Sequence, residues 1–110
     1  MEISEEKGGP VLTLRLAGKL DATTSKAFED RISAVLDAGE RQLVVDLSRL
    51  DYVSSSGLRV FLLAAKRLNS ANGRIVWCSL TDPVREVFDI AGFSAILSVY
   101  GSHEEALKSL

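Results

Sequence analysis

Apolar residues recur along this chain with two different periods, and the most informative change of period falls near its middle. Val44, Val45 and Leu47 form a short apolar run that predicts a buried strand. Farther on the apolar residues follow helical spacing, at Leu58, Val60, Phe61, Leu62, Ala64, Ala65 and Leu68. A short polar turn and three serines, Ser54 to Ser56, lie between the two elements. The pattern therefore predicts hydroxyl groups at the start of a helix.

The chain before this segment is predicted to form a hairpin followed by a helix. Ile3 begins an edge strand, and a Gly-Gly-Pro turn precedes a strand from Val11 to Leu16. Thr23 or Thr24 then caps a helix that ends at Gly39. The apolar face of that helix consists of Ala27, Phe28, Ile32, Val35 and Leu36.

The chain after the central helix continues the alternation of strands and helices. An Asn72–Gly73 turn leads into a predicted strand from Arg74 to Cys78. A short helix follows, capped by Asp82, with Pro83 at its first position and Gly92 at its end. A last strand from Ile96 to Tyr100 then leads to a terminal helix, whose Ser102 and Glu105 fit a capping box. Such alternation implies right-handed βαβ crossovers and parallel pairing, while the opening hairpin makes the sheet mixed.

Composition agrees with one small domain. The chain has 110 residues, of which 46% are hydrophobic and 25% charged, the usual balance of a globular domain. We therefore predict a single α/β domain over residues 1–110, with a mixed sheet of four to five strands and about four helices. In such sheets partners favour the loops at the carboxyl ends of the strands, where the serine triplet is expected to lie.

Charge and hydropathy exclude two classes of partner. The formal net charge is -2 and the chain has no cluster of Lys and Arg, which argues against binding of nucleic acid. No apolar run reaches the ~18 residues of a membrane span, and the opening MEISEEK is acidic where a signal peptide would be basic. We expect a cytoplasmic protein that binds neither nucleic acid nor a membrane.

Enzyme chemistry finds little support in the sequence. A serine hydrolase needs a base beside its nucleophile, but the only histidine, His103, is predicted in the terminal helix and is interpreted as a surface residue. One cysteine and one histidine do not make a zinc site, and Cys78 lies in an apolar run where a buried thiol is expected. Gly8 and Gly9 precede a strand, whereas a nucleotide loop would follow one. We predict no enzyme, no metal and no cofactor.

A receiver domain is a closer alternative, because Asp46 ends the predicted central strand as a phosphoacceptor aspartate would. That function also needs an acidic pair after the first strand and a lysine after the last, and neither is evident. Asp46 and Asp51 are interpreted as polar turn or cap residues.

The serine triplet allows two interpretations. Serine is a preferred N-cap residue, so in the first interpretation one or two of the three hydroxyls only cap the helix. A helix start also favours an anion by about 0.3–1 kcal/mol, which suits a serine that carries a phosphate. Three serines are more than one cap requires, so the second interpretation stays open.

The surrounding residues resemble the STAS domain family, the anti-sigma factor antagonists, and the similarity covers nearly the whole chain. The first matching segment is the strand with Asp46, followed by Ser55, Ser56 and Gly57. The second runs from Leu14 to Asp21 and ends in the family's G-x-[LIV]-D, with Thr23 and Thr24 after it. The third consists of Phe88, Asp89, Ile90, Ala91 and Gly92. Two positions depart from the family pattern: Ser54 replaces an aspartate, and Arg59 stands where many relatives have glycine.

The resemblance implies that Ser55 is the phosphorylated residue. It also implies that unmodified protein binds an anti-sigma factor with serine kinase activity and frees a sigma factor, and that a phosphatase resets the phosphoserine. The implied partner surface consists of Asp21, Ser54, Ser56, Gly57, Leu58 and Arg59. Leu58 is expected to be partly exposed and Phe61 to lie in the core or against a partner, whereas Arg59 either faces solvent or leans toward the phosphate.

A second use of the same fold remains open. The alternative function is that of a scaffold subunit of a transporter ATPase complex or a sensory assembly, with Ser55 as a contact or cap and no phosphorylation switch. A Ser55→Glu variant separates the two functions, because only the switch loses its partner when a negative charge is added there.

Overall fold

A five-stranded mixed sheet organises the chain, and the computed structural model describes residues 1–110. Its strands lie side by side in chain order: β1 (Glu2–Gly8), β2 (Val11–Leu20), β3 (Gln42–Val53), β4 (Arg74–Cys78) and β5 (Val99–Tyr100). Four helices alternate with them: α1 (Ser25–Asp37), α2 (Ser55–Ser70), α3 (Asp82–Ile90) and α4 (His103–Lys108). β1 and β2 form an antiparallel hairpin, and all other neighbouring strands are parallel. The predicted fold class is confirmed.

The register of β2 against β3 brings two loops to one edge of the sheet. The pairing starts at Val11 opposite Gln42 and ends at Leu20 opposite Val53. Because both strands end together, the loop that follows β2 and the start of α2 are neighbours. The serine triplet therefore lies at the carboxyl edge of the sheet, as the sequence predicts.

Side chains on the two faces of the sheet form two cores of unequal size. The larger core packs α1, α2 and α3 on one face and is centred on Phe61, whose ring centroid lies 5.2 Å from that of Phe28, 5.8 Å from Trp77 and 6.1 Å from Phe88. On the opposite face Val44, Val76 and Cys78 pack against Ala106 of α4. Successive strand residues point to opposite faces, which accounts for the continuous burial from Leu43 to Leu47. None of the four helices is both long and apolar enough to cross a membrane.

The central strand is longer than the sequence pattern predicts. β3 continues through Ser48–Val53, where we expected a polar turn, so Asp46 and Asp51 are strand residues. Its pairing with β2 shifts register twice, after Arg15 and again after Gly18. Each shift interrupts the alternation of inward and outward side chains, so the second half of the strand no longer shows the two-residue period that identifies a strand.

Two helix caps differ from the predictions. Thr24 occupies the N-cap position of α1, but its hydroxyl makes no cap hydrogen bond because it donates to the carbonyl of Lys19 and accepts from the amide of Asp21. Thr81, and not Asp82, occupies the N-cap position of α3, and its hydroxyl donates to the carbonyl of Leu50. In both places the threonine joins the helix start to a strand instead of capping the helix.

The C-terminal quarter of the chain also differs from the predicted elements. The last strand is only Val99–Tyr100, because a 3₁₀ turn at Phe93–Ala95 precedes it and leaves Ile96 exposed. The Ser102 hydroxyl caps α4 as predicted, accepting from the amide of Glu105 at 3.1 Å.

Two individual side chains were assigned wrongly. Ala27 is exposed, outside the apolar face of α1. His103 is half-buried and its Nε2 lies 2.8 Å from the hydroxyl of Thr13, so it joins α4 to the sheet and is not a free surface residue. The predicted burial of Cys78 is confirmed.

Candidate functional site

The site begins with a hydrogen bond between the two loops at the carboxyl edge. The amide of Ser54 donates to the carbonyl oxygen of Leu20 at 2.9 Å. This bond ties the last residue of β2 to the residue that precedes α2. It fixes the position of the serine triplet relative to the loop that carries Asp21.

The three serines have different environments. Ser54 has extended backbone (φ -90°, ψ 175°), and its hydroxyl accepts from the amide of Gly57 at 3.2 Å, so it is the N-cap of α2. Ser55 is the first helical residue and is exposed, and its hydroxyl makes no hydrogen bond. Ser56 is half-buried. One serine therefore caps the helix, and the next presents a free hydroxyl to solvent.

Gly57 is required by the close packing of α2 on the sheet. A Cβ at this position would lie 2.7 Å from Cγ2 of Val53 and 2.9 Å from the carbonyl oxygen of Leu20. Real Cβ atoms do not approach neighbours so closely, so only glycine fits here without displacement. The absence of a side chain at Gly57 therefore sets how closely the first turn of α2 approaches the sheet.

The neighbouring loop is held in shape by the carboxylate of Asp21. Its Oδ1 accepts from the Thr23 amide at 2.9 Å and the Thr23 hydroxyl at 2.7 Å, and the Thr24 hydroxyl lies 3.3 Å away. These hydrogen bonds, those from Thr23 first, lower the pKa of Asp21 below its ordinary value. The carboxylate is therefore charged at neutral pH and engaged within its own loop.

The prediction that Leu58 is partly exposed is wrong. Leu58 is 6% exposed and belongs to the larger core, together with the fully buried Phe61. The close approach of Gly57 to the sheet draws the first turn of α2 inward, which takes Leu58 out of solvent. The accessible surface of this turn is consequently polar, with Ser55 and Arg59 as its exposed residues.

A groove between α1 and α2 adjoins the triplet and was not predicted. It encloses about 230 Å³ and is lined by Ser25, Glu29, Ser56, Arg59, Val60 and Leu63. The sequence feature that could have indicated this groove is Leu63, a large apolar residue that lies outside the buried stripe of α2. In the structure its side chain is 37% exposed. Its exposure gives the polar surface one apolar element.

A sequence model of the STAS domain matches residues 2–106. The chain belongs to the STAS domain family. A Bordetella bronchiseptica protein named as an anti-sigma factor antagonist, BtrV, is 43% identical to this STAS domain over 106 residues, which make up 96% of this chain and 91% of the relative. The anti-sigma F factor antagonist of Paenibacillus polymyxa is 30% identical over 111 residues, covering 100% of this chain and 95% of the relative.

Solved structures share the same architecture. The anti-sigma factor antagonist SpoIIAA from Bacillus superposes on this STAS domain in its unphosphorylated form with a TM-score of 0.83 at 24% identity, covering 98% of this chain and 95% of that one. Its phosphorylated form gives a TM-score of 0.74 at 23% identity, with 98% of both chains covered. At these identities the similarity establishes the fold.

Asp46 of this STAS domain lies away from the serine triplet. It is in the middle of β3, seven residues before Val53, which corresponds to roughly 23 Å of strand. The carboxylate is buried, lies 3.3 Å from Nε of Arg15, and accepts from the amide of Ser48 at 2.9 Å. Asp46 is therefore part of an ion pair on the sheet and not part of the candidate site.

Proposed function

We propose that this STAS domain is an anti-sigma factor antagonist that is switched by phosphorylation of Ser55. Unmodified, it binds an anti-sigma factor with serine kinase activity and thereby frees a sigma factor. The observation that carries the proposal is the division of roles at the start of α2. Ser54 supplies the cap, so the Ser55 hydroxyl is exposed, unbonded and available to a kinase.

Two relatives support this function. BtrV and the Paenibacillus protein are named as antagonists of anti-sigma factors and match almost the whole chain. SpoIIAA, which has the same fold, is described in both an unphosphorylated and a phosphorylated form. A fold that carries a phosphate in one member is a suitable scaffold for the same modification here.

Ser54 in place of the family's aspartate is compatible with the switch. Aspartate and serine are both strong N-cap residues, and the Ser54 hydroxyl accepts from the amide of Gly57 as a carboxylate would. The substitution removes one negative charge next to the phosphorylation site. With less negative charge beside Ser55, the incoming phosphate is repelled less.

The partner surface is proposed to centre on the carboxyl edge. Ser55, Ser56 and Arg59 supply accessible polar groups, and the loop shaped by Asp21 flanks them. Gly57 and Leu58 contribute by fixing the first turn of α2 against the sheet. The groove with Leu63 provides the neighbouring apolar contact.

Phosphorylation at this surface is expected to release the partner. A phosphate brings about -1.5 to -2 charges and three acceptor oxygens, which impose a desolvation cost in a packed interface. A change of ~2–3 kcal/mol in binding free energy corresponds to roughly a 30- to 150-fold change in affinity. A phosphatase would restore the binding form. Because transcription is the target, this function would place the protein in the cytoplasm.

The test is affinity capture from the source cell with wild-type, Ser55→Ala and Ser55→Glu baits, followed by mass spectrometry. We expect wild type and Ser55→Ala to retain an anti-sigma kinase that Ser55→Glu loses. The matched control is Ser70→Glu, which adds the same charge at an exposed position in the last turn of α2.

The captured kinase is then incubated with the wild-type protein and ATP. Phosphate on Ser55, absent from Ser55→Ala, supports the switch. Equal retention of one partner by all four baits, without phosphorylation, would contradict it and favour the scaffold function.

A further inference from the structure

Arg59 is the exposed cation closest in sequence to the serine triplet. It lies four residues after Ser55 on α2 and takes part in none of the six ion pairs of the structure. Its guanidinium also makes no hydrogen bond. By contrast, Arg31 of α1 and Arg67 of α2 each donate a hydrogen bond to a side-chain oxygen. The five donors of Arg59 are therefore available to a new acceptor.

The helical geometry directs Arg59 toward Ser55. Residues four apart on a helix lie on the same face, with Cβ atoms roughly 5–6 Å apart. Side chains on a helix lean toward its N-terminus, so a phosphate on Ser55 would be within reach of the guanidinium of Arg59. In the structure Arg59 lines the groove beside the neighbouring Ser56. The anion would be the N-terminal member of the pair, which is the more favourable order.

Other charged groups around this turn leave Arg59 free. The first turn of α2 contains no acidic residue. Glu29 of α1 lines the same groove but lies more than 4.0 Å from the guanidinium, as the absence of an ion pair shows. Asp21, on the adjacent loop, directs its carboxylate to Thr23 and Thr24. A phosphate on Ser55 would present more charge and more acceptor oxygens than either carboxylate.

We propose that Arg59 is the intramolecular counter-ion of a phosphate on Ser55, binding it across one turn of α2. The proposal rests on the proposed function for the choice of Ser55 as the modified residue. Phosphorylation then changes the surface twice: it adds a negative group at Ser55, and it neutralises the guanidinium that the unmodified protein exposes.

The test uses full-length protein in which phosphoserine is incorporated at position 55 during synthesis, so that neither the kinase nor the partner is needed. The phosphorus NMR signal is titrated between pH 4 and 8 at about 0.1–0.15 M salt, a pH range that spans the midpoint near pH 6 that is usual for phosphoserine. In wild type we expect a midpoint lower by about 0.3 pH unit than in Arg59→Gln, because a nearby cation favours the dianion.

Lys66→Gln is the matched control. Lys66 is an exposed residue of α2 in no ion pair, eleven residues from Ser55, which places it about 16 Å away along the helix. That distance exceeds the screening length of roughly 8–10 Å at 0.1–0.15 M salt. We expect Lys66→Gln to titrate like wild type under those conditions, and Arg59→Lys to recover part of the wild-type midpoint.

Two results would overturn the proposal. One is the same midpoint for wild type and Arg59→Gln, and the other is an equal change in Arg59→Gln and Lys66→Gln, which would indicate general charge alone. Circular dichroism of each variant verifies that α2 is intact. If the titration shows no effect of Arg59, the partner capture with Ser55→Glu still tests the proposed function. If that capture gives a negative result, the titration still tests the ion pair, because it needs neither kinase nor partner.

Discussion

The carbonyl oxygen of Leu20 lies only 2.9 Å from the place that a Cβ on Gly57 would occupy. The same oxygen accepts the hydrogen bond from the Ser54 amide. One backbone group at the end of β2 thus fixes both the N-cap of α2 and the depth to which its first turn packs. The exposed Ser55 lies between Ser54 and Gly57 in the chain, so its position depends on the contacts of both residues with this oxygen.

Replacement of Gly57 by alanine is expected to destabilise the fold by about 1–3 kcal/mol, the usual cost of overpacking. The added methyl group would contact backbone at Leu20 and the side chain of Val53, and α2 would have to move away from the sheet. Urea denaturation measures the change. Gly8→Ala is the control, since nothing lies within 4 Å of its Cβ position, and it should change stability by less than about 0.5 kcal/mol. Equal losses in the two variants would refute this account of Gly57.

Because Ser54 caps α2 and Ser55 has a free hydroxyl, we expect alanine replacements at these two serines to have different effects on stability. Ser54→Ala should cost about 1 kcal/mol of unfolding free energy, because it removes the acceptor for the Gly57 amide. Ser55→Ala should be close to neutral, because that hydroxyl has no bond to lose. Ser54→Asp should retain the wild-type stability, since aspartate also caps. Thermal unfolding of the three variants checks the assignment, which a larger loss in Ser55→Ala would contradict.

The aromatic cluster around Phe61 predicts where the core is least tolerant. Phe61→Ala should cost about 3–5 kcal/mol, because it leaves a cavity among Phe28, Trp77 and Phe88. Such a loss is a large part of the ~5–15 kcal/mol stability of a typical domain. Urea denaturation followed by Trp77 fluorescence measures it. Ile90→Ala, at a side chain that is 81% exposed, should have almost no effect.

The order of elements could be predicted because each one has a local signal. The Gly-Gly-Pro turn marks the hairpin, and the apolar stripes of α1 and α2 mark the two longer helices. The second half of β3 could not be recognised, because the register shifts opposite Arg15 and Gly18 remove its two-residue period. Its strand character follows from pairing with β2, which a local pattern does not contain.

The candidate site was predictable in location but not in detail. The serine triplet indicated a helix start, yet the choice between Ser54 and Ser55 as the cap depends on the backbone of a single residue. The burial of Leu58 follows from the contact between Gly57 and Leu20, two residues far apart in the chain. The groove depends on how α1 packs against α2, which neither helix determines alone.

The thiol of Cys78 predicts a loss of stability at alkaline pH. Burial raises the pKa of this thiol to about 11 from the ordinary 9.0, because the apolar surroundings disfavour the thiolate. With the pKa raised in the folded protein, the thiol's contribution to stability is complete below pH 9 and is lost as the pH rises toward 11, where the unfolded chain ionises first. Urea denaturation across this range should therefore give a steeper decline for wild type than for Cys78→Ala, which shares every other titrating group. The native thiol should also resist alkylation at pH 8, and rapid modification of the folded protein would contradict its burial.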